Sequence, residues 1–203
     1  MFVYRWMTPH VITTGHQAAA SEALYKMESH SIKRLPVLDP QQRVVGILHR
    51  DNLFRTLFIN KDDPPVSQLM ADHVVTIAPD APLEEAAMRM EEHHISGLPV
   101  VEGERLVGII TESDLFKAFV RVMGLLEGGQ RLTIRLKDRP GALLQALEPI
   151  SSHELNIISV ASCKIPGAPP GTKEVTLRLQ TAELSLLVAD LLRHKVDVVD
   201  WRL

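Results

Sequence analysis

The stretch His30-Ser31-Ile32-Lys33-Arg34-Leu35-Pro36-Val37 returns 63 positions later as His93-His94-Ile95-Ser96-Gly97-Leu98-Pro99-Val100. Around it, Met7 to Leu38 aligns with Met70 to Val101 without a gap, and 14 of the 32 positions are identical. Average residue usage would give about two matches over that length. After one deletion the register resumes: Val45-Gly46-Ile47 pairs with Val107-Gly108-Ile109, and Leu53-Phe54 with Leu115-Phe116. The first two thirds of the chain are therefore a duplication.

Both copies read alike. A short β-branched run opens each, Val11 to Thr14 and Val74 to Ile77. A helix follows; in the second copy Leu83, Ala86, Ala87 and Met90 recur at helical spacing, after a Pro82 suited to a first turn. Two apolar runs come next, Leu35 to Leu38 then Val44 to Leu48, and Leu98 to Val101 then Leu106 to Ile110. Turn residues separate them, so each pair is expected to be a hairpin. A second helix is expected from about Asp51 and again from about Ser113. The unit is β-α-β-β-α, and one copy alone would expose an apolar sheet face. Two copies cover each other as a pseudo-twofold pair.

The paired His-x-Ile-x-x-Leu-Pro-Val segments, with Gly108-Ile109-Ile110-Thr111-x-x-Asp114-Leu115, resemble a tandem of CBS (cystathionine-β-synthase) domains over about residues 5–124. The expected boundaries are 1–62 and 63–126. In that family a Thr-x-x-Asp motif holds the ribose of adenosyl ligands. A carboxylate can accept from two vicinal hydroxyls, with a Thr hydroxyl beside it and helix N-terminal amides nearby. The second copy keeps the motif as Thr111 and Asp114; the first has His49 and Asn52 instead, and Asp51 stands one place early. The resemblance implies that Thr111 and Asp114 share a nucleotide site with Val11, Ile12, Thr13, Ile32, Lys33, Arg34 and Pro36. A weaker site would use His49, Asn52, Thr76, Ile95, Ser96 and Gly97. Lys33-Arg34 replaces Ser96-Gly97, and two cations beside a ribose carboxylate suggest a phosphate, hence AMP, ADP or ATP. The bland alternatives are that Asp114 only caps its helix and that Lys33-Arg34 is a solvated turn.

After Glu127-Gly128-Gly129 the pattern changes. Arg131 to Leu136 alternates, Asp138-Arg139-Pro140-Gly141 turns into a helix with Leu143, Leu144, Leu147 and Ile150, and a strand covers Leu155 to Lys164. A Pro/Gly loop, a strand from Glu174, a helix with Leu184, Leu187, Val188, Leu191 and Leu192, and a last strand from Val196 follow. The order βαββαβ is ferredoxin-like. Residues 130–203, through Leu136-Lys-Asp-Arg-Pro-Gly-Ala-Leu143 and Leu155-Asn156-Ile157-Ile158, resemble an ACT domain. The resemblance implies either an amino acid or related metabolite held by Asp138, Arg139, Pro140, Gly141, Ala142 and, from a partner copy, Asn156 and Ile157, or a role in dimerisation only. The fold class is thus α/β and α+β, a CBS pair followed by an ACT domain.

The remaining composition limits what such a chain does. The net charge of −3 is the sum of −5 over residues 1–128 and +2 over the rest, which argues against nucleic-acid binding. No apolar run is long enough for a membrane span and no signal peptide is visible, so a cytoplasmic location is expected. The single cysteine, Cys163, is expected to be a small buried hydrophobe. His93 and His94 point apart on a helix, and no metal site or catalytic residue set is visible. The combination resembles the acetoin utilization family of AcuB and its relatives. It implies a homodimeric regulatory sensor that binds an adenine nucleotide, is not an enzyme and acts on a protein target the sequence does not name. The alternatives are an enzyme's regulatory subunit, a transcription-related factor or a purely structural dimerisation protein.

Overall fold

The repeated His-x-Ile segment is a helix stop. Helix α1 (Ala20–Ser29) and helix α3 (Leu83–Glu92) occupy equivalent positions; α2 (Arg50–Phe54) lies between them. On α1, Ala20, Ala23, Leu24 and Met27 are buried, the i, i+3, i+4, i+7 face. On α3 the buried set is Leu83, Ala86 and Met90, while Ala87 faces outward. Both helices end alike. Ser31 and His94 are left-handed, at φ 53°. The N–H groups of Ile32 and Ile95 donate back to the Met27 and Met90 carbonyls at 2.9 Å, and those of Ser31 and His94 to Glu28 and Glu91. This is a Schellman termination, and it makes the Ile the apolar residue that closes the stop. His94 is therefore in the stop, not on the helix. A left-handed Ser or His costs what glycine does not. Ser31→Gly and His94→Gly should each stabilise the protein by up to about 1 kcal/mol, read as a rise in the chemical denaturation midpoint.

The structure is a computed structural model that describes every residue except Ala182 and Leu203, and also leaves the side chains of Asn60 and Arg202 undescribed. It divides into two compact units, Met1–Phe116 and Lys117–Leu203. In the first, strands β1 (Thr14–Gly15), β2 (Arg34–Leu38) and β3 (Val44–His49) form one sheet in that order, and β4 (Gly97–Glu102) and β5 (Arg105–Thr111) form the second hairpin. Both hairpins are antiparallel and both carry a bulge at the same place, between Val37 and Leu38 and between Val100 and Val101. The β-branched runs expected as opening strands shrink. The first becomes the two residues of β1, parallel to β2, and the second a single bridge from Ile77 to Val100. The second helix also differs between copies. In copy one, α2 is short and continues as a π-helical stretch, Arg55–Asn60. In copy two, α4 (Glu112–Val122) is regular, and the division between units falls within it.

The copies exchange their leading segments. Val3 and Tyr4 donate to the Ala81 and Pro79 carbonyls, Leu83 donates to Met1, and Thr8 and Ile109 bond each other twice. The same bonds recur in the other copy: Val66 and Ser67 to Ala18 and His16, Ala20 to Pro64, and Ala71 with Ile47. Val3 and Val66 are fully buried. Residues 1–8 thus complete the second copy, and residues 63–71 complete the first. The Met7 and Met70 side chains lie where a Cβ on Gly108 or Gly46 would stand. The Gly of each Val-Gly-Ile run is the space that admits this methionine. Arg43 and Arg105, equivalent residues, bridge each other at the hairpin turns, so the pseudo-twofold axis passes between them.

The second unit is βαββαβ: β6 (Gln130–Lys137), α5 (Ala142–Ser151), β7 (Asn156–Cys163), β8 (Thr172–Gln180), α6 (Leu184–Arg193) and β9 (Asp197–Arg202). The sheet order β7-β8-β6-β9 is antiparallel throughout. One sheet face and both helices bury Leu132, Ile134, Ala146, Ile150, Leu177, Leu187 and Leu191 among others. Leu144 and Leu192, expected on the apolar faces, point outward. Cys163 is exposed at the end of an edge strand, against the expectation of a buried residue, because the sheet's outer face lies on that side of the alternation.

Candidate functional site

The strand-to-helix junctions bring equivalent residues of the two copies together. Arg34 pairs with His49 across the first hairpin, and Gly97 with Thr111 across the second. The Arg34 side chain leaves its own copy: its Cδ is 3.5 Å from where a Gly97 Cβ would lie, as is Thr111 Cγ2. The absence of a side chain at Gly97 lets Arg34 reach the second copy's junction. There Glu112 raises its pKa, but burial lowers it more, and the net direction is down. Its buried Nε has no acceptor among the described residues. An unsatisfied buried guanidinium donor is costly and favours an acceptor that arrives from outside.

Thr111 and Asp114 are joined. The Asp114 carboxylate accepts from the Thr111 N–H at 3.1 Å and from its hydroxyl at 2.7 Å, and Asp114 is buried. This is the spacing of a capping box, with the third helical residue reaching back to the cap. In the first copy, His49 makes no side-chain cap and Asn52 is exposed. The lost cap accompanies the shorter α2. The first amide of each helix is satisfied in the same way, Arg50 to the Lys33 carbonyl and Glu112 to that of Ser96.

The other expected residues are spread more widely. Lys33 is exposed beside Arg34, Pro36 is buried within β2, and Ile12 and Ile32 pack against the first copy's core. Val11 and Thr13 line a cleft of about 790 Å³ with Arg43 and Arg105, at the hairpin-turn end. That cleft does not include Thr111 or Asp114. Thr76 uses its carbonyl to accept from Arg89, and Ile95 serves the helix stop. Glu112 carries no signal in the sequence beyond its place inside Thr-x-x-Asp, and its role depends on the reach of Arg34.

His49 is half-buried. Burial and the neighbouring Arg34 charge hold its pKa below the ordinary histidine value, with Asp51 opposing. The unfolded chain therefore takes up this proton first on acidification. The associated stability is present above pH ~6.5 and falls as pH drops through the folded value. The first unit should melt at lower temperature at pH 5.5 than at pH 7.5, and His49→Gln should shrink that difference, as followed by thermal unfolding.

In the second unit the loop after β6 is tied at one end and open at the other. Asp138 is held below the usual carboxylate range by Lys164, 3.0 Å away, and then by Lys173 at 3.7 Å. Arg139 donates to the Gln145 side chain at 2.7 Å, and Pro140 is exposed. Gly141 is left-handed with open space around it, and Ala142 is buried. Asn156 donates to Gln180 on the next strand, and Ile157 packs on the core. Among the described residues no three His, Cys, Asp or Glu groups cluster as metal ligands, and no helix is long and apolar enough to cross a membrane.

Comparison with known proteins matches residues 3–59 and 66–121 to the family described as CBS domain, and residues 128–202 to that described as TTHA0829-like ACT domain. The CBS domain-containing protein YhcV of Bacillus subtilis is 35% identical over 111 residues, 54% of this chain and 79% of that protein. The L-aspartate semialdehyde sulfurtransferase of Methanocaldococcus jannaschii is 32% identical over 109 residues, 53% of this chain and 21% of the enzyme. The chain spans about a fifth of the length of the first curated relatives it matches. A putative acetoin utilization protein, AcuB, from Vibrio cholerae superposes with a TM-score of 0.58 at 31% identity, covering 63% of this chain and 98% of that one. A CBS-domain pair crystallised with 5′-methylthioadenosine and S-adenosyl-L-methionine superposes at 0.55 with 30% identity, covering 59% and 95%.

Proposed function

This chain belongs to the CBS-domain family and carries an ACT-like domain behind its CBS pair, and from that premise we propose that it is a regulatory sensor of adenine nucleotides. Asp114 and Thr111 take the ribose hydroxyls, and Arg34, with Lys33 beside it, takes the phosphate. The observation that carries this reading is the buried Arg34 Nε, unsatisfied and beside the Thr111–Asp114 junction. The methylthioadenosine and S-adenosylmethionine held by a CBS pair 30% identical to this one support an adenosyl ligand. Neither of those carries a phosphate, so the arginine is what points to AMP, ADP or ATP.

The first copy's junction, with His49 and Asn52, is the weaker site or stays empty. Nucleotide between the copies shifts their relative arrangement, and a protein target reads the change. The chain acts as a homodimer and performs no catalysis of its own. Titration calorimetry of the full chain at low salt tests the binding step, with AMP, ADP, ATP and 5′-methylthioadenosine as probes. At least one phosphorylated ligand should bind more tightly than methylthioadenosine. No heat with any adenine nucleotide would overturn the proposal.

A further inference from the structure

The second copy's strand-to-helix junction is graded in burial, and the gradient leaves a carboxylate at its mouth. Asp114 is buried, Arg34 is half-buried, and Glu112 is exposed. The groups stand close together although Arg34 comes from the other copy. Arg34 Cδ and Thr111 Cγ2 are each 3.5 Å from the point where a Gly97 Cβ would lie. The N–H of Glu112, the next residue, donates to the carbonyl of Ser96, just before Gly97, at 3.2 Å. The Glu112 charge reaches the Arg34 guanidinium and acts to raise its pKa, yet the buried Arg34 Nε stays without an acceptor. The first copy's junction contributes little net charge. Arg50 lies 3.9 Å from Asp51. His49, across the hairpin from Arg34, is held below the ordinary histidine value by burial and by the Arg34 charge, and so is neutral at pH 7.5. Outside the ribose position of Asp114, two cations, Lys33 and Arg34, are thus offset by one carboxylate, Glu112. The fold does not require an acid there, because the equivalent residue of the first copy is Arg50.

Building on the nucleotide reading of this junction, we infer that Glu112 makes it selective for an adenine monophosphate over the di- and triphosphates. A single phosphate carries about two negative charges at neutral pH, which Lys33 and Arg34 match. Each further phosphate extends from the half-buried Arg34 toward solvent, where Glu112 stands. It adds negative charge beside a carboxylate, and like charges brought together select by repulsion. The discriminating element is therefore the residue inside Thr-x-x-Asp that touches neither the ribose nor the first phosphate.

The test is titration calorimetry of the full chain at pH 7.5 and low salt, with AMP, ADP and ATP as probes and EDTA present to keep the phosphates free of metal ions. AMP should bind at least about tenfold more tightly than ATP, with ADP between them. The ratio of AMP to ATP affinity should shrink as salt rises, because the discrimination is electrostatic. Glu112→Gln should reduce that ratio about tenfold, chiefly by tightening ATP, and Glu112→Arg, which installs the first copy's residue, should reduce it further. Glu112 also stands in the first turn of α4, where an acid favours the helix. If that were its whole role, both substitutions would lower the melting temperature and leave the ratio unmoved, which would overturn the inference. ATP bound as tightly as AMP by the unsubstituted chain would also overturn it, while leaving the nucleotide reading in place. No binding of any adenine nucleotide would overturn the reading and the selectivity together.

Discussion

Replacing Gly108 with valine should destabilise the first unit by about 2–3 kcal/mol, the upper part of the range for overpacking a filled site. Valine suits a strand, so propensity alone predicts little harm. The cost comes from Met7, whose side chain lies where the new Cβ must go. Met7 cannot retreat freely, because Thr8 is bonded twice to Ile109 and Val3 to Ala81. Gly46→Val should act in the same way through Met70. The decisive measurement is a double-mutant cycle by urea denaturation. Met7→Ala should cost stability alone yet restore part of what Gly108→Val loses, a favourable coupling of about 1 kcal/mol or more. Additive losses would show that the methionine is not the obstacle. The same exchange of segments predicts that removing residues 1–8 destabilises the second copy, although those residues precede the first.

The second large effect concerns the ligand. Asp114→Asn should lower adenine-nucleotide affinity about a hundredfold, the worth of two hydrogen bonds to a charged acceptor at the ribose. Asparagine keeps an oxygen that can accept from Thr111, so the helix cap should largely survive and the melting temperature should fall little. Arg34→Ala should act on a different part of the ligand. It should weaken AMP, ADP and ATP about tenfold or more and leave 5′-methylthioadenosine unchanged, because only the phosphorylated ligands offer its guanidinium an anionic acceptor. It should also stabilise the unliganded protein slightly, since a half-buried donor without an acceptor is removed. Equal losses for phosphorylated and unphosphorylated ligands would assign Arg34 to packing alone.

Much of the architecture was legible because the duplication doubled every signal. A single Leu-Pro-Val or Val-Gly-Ile run is weak; two in register define hairpins, and the structure adds that even their bulges repeat. Helical faces are legible where the apolar set is narrow, as on α1. They are less legible where leucine also occupies the rim, as at Leu144 and Leu192, which point outward. The opening strands are shorter than their composition suggests, since β-branched residues at Val11 to Thr14 cannot reveal that few partners are available for pairing. For the site, the Thr-x-x-Asp spacing and the Lys33-Arg34 departure were visible in the chain. The partnership of Arg34 with Gly97 and Glu112 was not, because it joins residues more than sixty positions apart.

The chain alone dictates the two repeats, their β-α-β-β-α order and the βαββαβ domain after them, because periodicity and turn chemistry are local and are written twice in the first case. It also determined that the two junctions are chemically unequal, since Thr111 and Asp114 have His49 and Asn52 as counterparts. Packing in three dimensions settles that each copy is completed by the other's leading segment. It also decided that glycines 46 and 108 are spaces for a methionine, and that Arg34 crosses to the opposite junction with one nitrogen unsatisfied. The physical reason is common to all three: each depends on close contact between segments distant in the chain. Hydrophobic pattern records which face is buried, but not which neighbour buries it.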